Sequence, residues 1–402
     1  MKLGLENVWS LLDSLGHPEQ KFPSIHIAGT NGKGSVSAML AAVHQVAGKR
    51  TGLYTSPHLV DFRERIRVSG EMISEKEVAD FLERIWPKVE ELNATFFEVT
   101  TAMAFDHFAR HHVDIAIIET GLGGRLDATN VLVKPLATVV TSIGYDHMAQ
   151  LGTTLELIAA EKAGIFKAGV PAVVNCDPEL HSVFQKVAQD VDCELLFVRD
   201  WELPTPFPDI IPSLVGEHQK ENVKTILATL NLLPERLSLK DIKEGIKNVA
   251  GLTGFRARLE EVHSADLSER GLRLFLDVGH NPQALERTKE FFAAQDIRPI
   301  VIAGMMKDKD VAEALKIFKS FASFFVAVQA KTARALPSIT LTEMAQAAGL
   351  PTANGGGVLH GLAYAAQMAS RGETLLLTGS HYVVGEFLEN FHRTGRVTLS
   401  AE

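Results

Sequence analysis

The sequence predicts an α/β protein of two domains, each built on a mostly parallel sheet, and three observations carry that expectation. Short apolar runs rich in β-branched residues alternate with longer helical patterns almost from end to end. A glycine-rich turn follows the first clear run and opens onto a helical pattern. The 402 residues exceed the roughly 100–200 of a typical single domain.

In chain order, MKLGLENVWSLLDSL sets Glu6 and Asp13 within an apolar helical pattern, so it reads as an amphipathic helix and not as a secretory leader. Strands are expected at SIHIAG (24–29), DIAIIET (114–120), ATVVTSIG (137–144), PAVVN (171–175), RLFLDV (273–278), PIVIAG (299–304), FFVAVQ (324–329) and ETLLLTG (373–379). Runs that are apolar throughout are buried on both faces, which is the habit of parallel sheets covered by helices. Repeated strand–helix–strand order makes the class doubly wound. A boundary is expected within GLTGFRARLEEV (251–262), where a helical stretch ends at Gly251 and Gly254 and a new strand–helix series begins. The expected domains are therefore 1–255 and 256–402, both of ordinary size. Gly355, Gly356 and Gly357 read as a short turn only.

A content of 46% hydrophobic and 22% charged residues is that of a globular chain and excludes a disordered or collagenous one. The net charge of −9 argues against nucleic acid or an anionic membrane as a partner. Cys176 and Cys193 lack metal-site spacing and read as small core residues in a reducing compartment. No apolar stretch approaches the roughly 20 residues of a membrane span. A cytoplasmic monomer is expected.

The most specific local pattern is SIHIAGTNGKGSVSAML (24–40). An apolar strand enters a glycine-rich turn, and a helix bearing Val36, Met39, Leu40 and Val43 leaves it. Glycines let successive N–H groups point inward, the helix start adds its dipole, and Lys33 supplies a point charge. Thr30, Asn31, Gly32, Lys33, Gly34 and Ser35 are thus candidate ATP ligands, with Ser35 or Thr30 able to approach a magnesium ion. The loop departs from G-x-x-x-x-G-K-[ST]: Ile27 stands where the first glycine belongs, and Gly34 follows the lysine in place of Ser or Thr.

Glu119 ends the run containing Ile115, Ile117 and Ile118 and precedes Gly121, Gly123 and Gly124. Acidic residues at the C-terminal tip of a parallel strand face the crevice where ligands bind. Asp146 and His147 end the next strand, so two neighbouring strands are expected to bring a carboxylate and an imidazole to one edge beside the loop. Oxygen ligands suit Mg²⁺, and a neutral histidine is a less usual addition. In the second domain Asp277, His280 and Asn281 follow the first strand, Lys307, Asp308 and Asp310 its neighbour, and Ser380 and His381 the last. Three polar strand tips on one rim read as a ligand face turned toward the N-terminal domain.

AGTNGKGS resembles the variant P-loop of the Mur-ligase superfamily, and in particular that of folylpolyglutamate synthase/dihydrofolate synthase. The likeness continues at YTSPHL (54–59), FRERIRVSG (62–70), ETGLGGRLDATN (119–130), IGYDH (143–147), EKAGIFK (161–167), GEHQKEN (216–222), LDVGHNP (276–282), GMMKDKD (304–310) and LTGSHY (377–382). These motifs run in collinear order across both expected domains, which is far more specific than any one of them. The resemblance implies an N-terminal P-loop ATPase domain, a smaller C-terminal Rossmann-like domain and an active site in the interdomain cleft. It implies that Ser56 and Glu119 hold one magnesium with the ATP phosphates, and that Glu119 and His147 hold a second with Lys162, which in this family is often carbamylated. Glu119, His147 and Lys162 are the catalytic candidates. On its residues alone, Lys162 reads equally as the partner of Glu156 or Glu161 on a solvated helix.

By the same resemblance Phe97, Glu98, Leu126, Asp127 and Ala128 lie near the pterin-bearing substrate, Asn222, Arg258 and Asp277 contact ATP, and His280 and Ser380 lie near the incoming glutamate. Where relatives often carry Trp-Pro-Gly-Arg, this chain has Phe255-Arg256-Ala257-Arg258, so Arg256 competes with Arg258 as the linker arginine. The reaction implied is ATP-dependent ligation of L-glutamate to dihydropteroate, to reduced folates or to both, through an acyl phosphate. A monofunctional folylpolyglutamate synthase and another Mur-type amide ligase are the alternatives. A P-loop kinase or NTPase would leave the strand tips of the second domain without a role. A nucleotide-dependent binding module would not need Glu119 and His147.

Overall fold

Residues 4–202 and 210–397 are described by the computed structural model of the chain. The chain divides into two units, one drawn from Met1–His58, Phe62–Ser213 and Gln219–Phe255, the other from Leu59–Asp61, Leu214–His218 and Arg256–Glu402.

The first unit carries β1 (Ser24–Ala28), β2 (Thr51–Tyr54), β3 (Ile66–Val68), β4 (Glu71–Met72), β5 (Ile115–Glu119), β6 (Ala137–Val140), β7 (Ala172–Val174) and β8 (Leu195–Phe197). Their order is β4-β3-β2-β5-β1-β6-β7-β8. From β2 to β8 all neighbours are parallel, and β3 and β4 extend the β2 edge as an antiparallel hairpin. β1, β5 and β6 are buried along their whole length, as apolar runs covered on both faces must be.

The helices that matter for the site are α1 (Glu6–Ser14), α2 (Lys33–Val46), α3 (Glu75–Leu92), α4 (Phe96–Arg110), α5 (Met148–Leu151) and α6 (Leu155–Ala163). One core joins α1, α3 and α4 to the sheet through Leu11, Leu12, Phe81, Phe105 and Ile118. A second joins α6 to it through Ile158, Ala163, Val140 and Val174. Capping boxes start α3 and α4: Ser74 with Glu77, and Thr95 with Glu98.

The second unit carries β9 (Glu260–Val262), β10 (Arg273–Leu276), β11 (Ile300–Ala303), β12 (Phe324–Gln329), β13 (Thr352–Gly357) and β14 (Thr374–Thr378). Their order is β13-β12-β11-β14-β10-β9, with β9 alone antiparallel. Alternation along β10 feeds two cores: Leu274 and Leu276 enter one, and Phe275 enters the other with Phe292, Phe318 and Phe325.

All eight expected strands are present, most of them shorter than the runs that announced them. Gly355, Gly356 and Gly357 are a correction: they end the edge strand β13, because pairing with β12 overrides their low strand propensity. Cys176 is buried and Cys193 half-buried, both as free thiols whose pKa burial raises. Among the described residues no helix is long and apolar enough to cross a membrane.

Candidate functional site

The strand order β2-β5-β1-β6 decides what surrounds the glycine-rich loop. β1 runs into the loop, β5 delivers Glu119 on one side, and β6 leads to Thr141, Ser142 and Asp146 on the other. Glu119 pairs in register with Ile27, one residue before β1 ends. This corrects one expectation: the strands bearing Glu119 and leading to His147 are not neighbours, since β1 is inserted between them.

The loop is braced from β6. Thr30 N–H donates to Ser142 O at 2.7 Å, and the Asn31 carbonyl accepts from Thr141 Oγ1 at 2.7 Å and Ser142 Oγ at 3.1 Å. Gly29 has φ +147°, and a Cβ there would run into Thr141 Oγ1, so only glycine fits. Gly32 caps α2 at φ 88°, and a Cβ on it would lie 2.8 Å from Asn222 Oδ1. Asn222 is buried, donates to Gln219 at 2.8 Å and stands beside the loop. Lys33 Nζ donates to Gly29 O at 3.1 Å and Thr30 O at 3.3 Å, while Ser35 is buried in the first turn of α2. Phe255 has its ring 2.8 Å from where a Gly34 Cβ would be. Its place against the loop had no signal in the sequence.

Glu119 is 4% exposed, and its Oε2 accepts the Ser56 N–H at 3.3 Å. Lys162 is equally buried and donates to Gly29 O at 2.8 Å. It pairs with neither Glu156 nor Glu161, because Glu161 is taken by Arg125 at 2.8 Å. Burial, then the nearby Lys33 charge, bring the Lys162 amine down to about 7. His147 is exposed, begins α5 with φ 51°, and lies 3.8 Å from Asp146. The buried Glu119 carboxylate beside Ser56 is the kind of hard oxygen ligand that magnesium takes, so it fits a divalent ion.

Of the residues expected near a pterin, Phe97 is half-buried, faces Tyr54 at 6.1 Å and lies against Gly121, where a Cβ would strike its ring. Glu98 is buried with its Oε2 accepting from Thr95 N at 2.6 Å and Asn7 Nδ2 at 3.3 Å, which makes it a helix cap. Asp127 is buried too, accepting from Leu122 N at 2.7 Å and from Thr129 Oγ1 at 2.6 Å, and burial raises its pKa. It shapes the segment that carries Leu126 and Ala128, of which Ala128 is buried.

In the second unit, β14 lies between β10 and β11, and β9 precedes β10, so the expected first strand and its neighbour are corrected on both counts. Two of the three tips meet: the His280 and His381 rings lie 5.7 Å apart. Asp277 is buried, accepts from Gly279 N at 2.8 Å and Leu259 N at 3.1 Å, and has a pKa raised by burial. Ser380 caps the helix His381–Thr394. Asp308 is occupied by Arg334 at 2.9 Å, and Asp310 caps Val311–Phe321, so the KDKD run has local work. Arg256 is engaged by Glu260, whereas Arg258 donates to the Ala257 carbonyl at 3.1 Å and its charge acts on Asp277.

Residues 27–200 match the Mur ligase middle domain, and residues 257–381 match the Mur ligase, glutamate ligase domain. The chain is thus of the Mur ligase class. It is 37% identical over 352 residues to the dihydrofolate synthase/folylpolyglutamate synthase of Bacillus subtilis (strain 168), covering 80% of each chain. It aligns with the solved structure of E. coli FolC in complex with DHPP and ADP at TM-score 0.85 and 30% identity, over 98% of this chain and 95% of that one. A bifunctional folylpolyglutamate synthase/dihydrofolate synthase solved with Mn, AMPPNP and L-glutamate bound aligns at TM-score 0.86 and 29% identity, over 98% and 95%. The chain belongs to the folylpolyglutamate synthase/dihydrofolate synthase family.

Proposed function

We propose that this chain joins the amine of L-glutamate to the carboxylate of dihydropteroate, and of reduced folates, at the expense of ATP. The observation that supports the reading most directly is the phosphate loop with Glu119 at the neighbouring strand tip and Lys162 bonded to Gly29 from beneath. A carboxylate is a poor acyl donor because its leaving group would be oxide. Transfer of the γ-phosphoryl group gives an acyl phosphate, and attack by the glutamate amine expels phosphate. Such transfer needs positioning and charge neutralisation more than a protein nucleophile. In this reading the loop N–H groups and Lys33 hold the ATP phosphates, and Asn222, Arg258 and Asp277 serve the nucleotide. Ser56, Glu119, His147 and a carbamylated Lys162 would hold two magnesium ions, which neutralise phosphate charge when bound. Phe97, Leu126 and Ala128, with Glu98 and Asp127 fixing their segments, serve the pteridine. His280 and Ser380 serve glutamate. The enzyme acts as a cytoplasmic monomer.

The test is ADP release from the purified chain with Mg·ATP, L-glutamate and 7,8-dihydropteroate, against controls lacking each carboxylate substrate. Release that requires both supports the reading. No release with dihydropteroate, but release with tetrahydrofolate, would leave a monofunctional folylpolyglutamate synthase. ADP formed equally without glutamate would overturn the ligase.

A further inference from the structure

Away from the loop, the first turn of α3 meets the last turn of α4 at a group the ligation reading does not use. His107 and His111 are four residues apart, so they share one face of α4 and its cap, with ring centroids 4.2 Å apart. Glu77 reaches them from α3, with Oε1 2.7 Å from His111 Nε2 and 3.5 Å from His107 Nδ1. The three ligand atoms all lie within 4.8 Å of one another.

We propose that Glu77, His107 and His111 form a structural site for a zinc-type divalent cation that clamps α3 to α4. Two ligands at about 2.0–2.1 Å from a tetrahedral ion are about 3.3 Å apart. The His107–Glu77 distance already has that value within a few tenths of an ångström, and the His111–Glu77 hydrogen bond need open by only about half an ångström. Glu77 is oriented in advance: its Oε2 accepts from Ser74 N at 2.9 Å and Ser74 Oγ at 2.6 Å, which aims Oε1 at the imidazoles. His107 is 6% exposed. Burial and the adjacent His111 bring its pKa down to about 4, so the ring offers a lone pair at neutral pH. The neighbouring charges are paired, Asp106 with both Arg84 and Arg110. The Glu77 and His111 side chains, 37% and 42% exposed, leave an entry path and a fourth position for water. Phe97 and His107 are ten residues, or about 15 Å, apart along α4. The ion would therefore brace the helix that carries Phe97 without touching substrate.

The test uses the full chain, stripped with chelator and kept in excess magnesium, titrated with Zn²⁺ against a chromophoric competitor. The parent should bind one zinc more than His107→Ala/His111→Ala, and zinc should raise the melting temperature of the parent alone. Glu77→Gln should weaken this zinc by at least about tenfold. Should the buried substitution prevent folding, the exposed His111→Ala carries the same comparison. Equal zinc stoichiometry and affinity in parent and His111→Ala, or no zinc-dependent rise in the parent melting temperature, would overturn the site and leave the trio as an interhelical ion pair.

Discussion

Lys162 and Lys33 donate to the same carbonyl oxygen, that of Gly29, at 2.8 and 3.1 Å. One ammonium comes from α6 and is buried, and the other belongs to the loop itself. Two like charges on one acceptor raise the cost of protonating the buried one. A lysine brought down to about 7 is partly neutral at that pH, and the neutral amine is the form that adds carbon dioxide, which is the chemistry carbamylation requires.

In the fold Lys162 keeps its proton only up to about 7, against a usual value of 10.5. Between these values the unfolded chain binds more protons, so this group makes stability rise with pH. Its destabilising effect is full below about pH 7 and fades toward pH 10.5. In carbon-dioxide-free buffer, the urea midpoint of the parent should gain on that of Lys162→Met between pH 7 and pH 9. A constant difference would mean that Lys162 is ionised as in water.

Lys33→Ala removes the charge proposed to hold the ATP phosphates. Losing a charge-assisted hydrogen bond costs about 1.5–3 kcal/mol, or roughly 10–100-fold in ATP affinity. Calorimetric titration checks this. The melting temperature should stay close to that of the parent, because Lys33 bonds only to carbonyls of its own loop among its described bonds.

Glu119→Gln keeps shape and volume but loses the charge that a divalent ion needs. Turnover should fall to background while circular dichroism and melting remain native, since the amide oxygen can still accept from Ser56 N. An active variant would remove Glu119 from the metal assignment.

The two linker arginines should separate by phenotype. Arg256 is held by Glu260 and lies 3.0 Å from His392, so Arg256→Ala should lower the melting temperature slightly, with a loss of about 1 kcal/mol or less for a partly exposed pair. Arg258→Ala should instead raise KM for ATP about tenfold or more with melting unchanged. The reverse pattern would transfer the ATP role to Arg256.

Much of this was legible from residues alone. Eight apolar runs announced the central strands because burial on both faces demands apolar side chains throughout. The short or polar strands β2, β3, β4, β8, β9 and β13 gave no such sign, since the partner strand, not composition, decides their pairing. The loop and its helix were equally plain, because glycine at Gly29 and Gly32 answers a local backbone requirement.

Adjacency came from the fold alone. Glu119, Lys162 and Phe255 lie 84, 127 and 220 residues beyond Ser35, and no local pattern says which strand will be inserted between which. Strand order placed Glu119 and the β6 tip on opposite flanks of β1. Packing of α6 beneath Gly29 turned Lys162 from one member of an apparent Glu161–Lys162 surface run into a buried amine. The parallel-sheet class and the phosphate loop are readable in the residues, because both rest on short-range periodicity and backbone conformation. The perturbed lysine and the site around the loop were decided only by the tertiary structure, because desolvation and Coulomb interaction depend on distance in space and not along the chain.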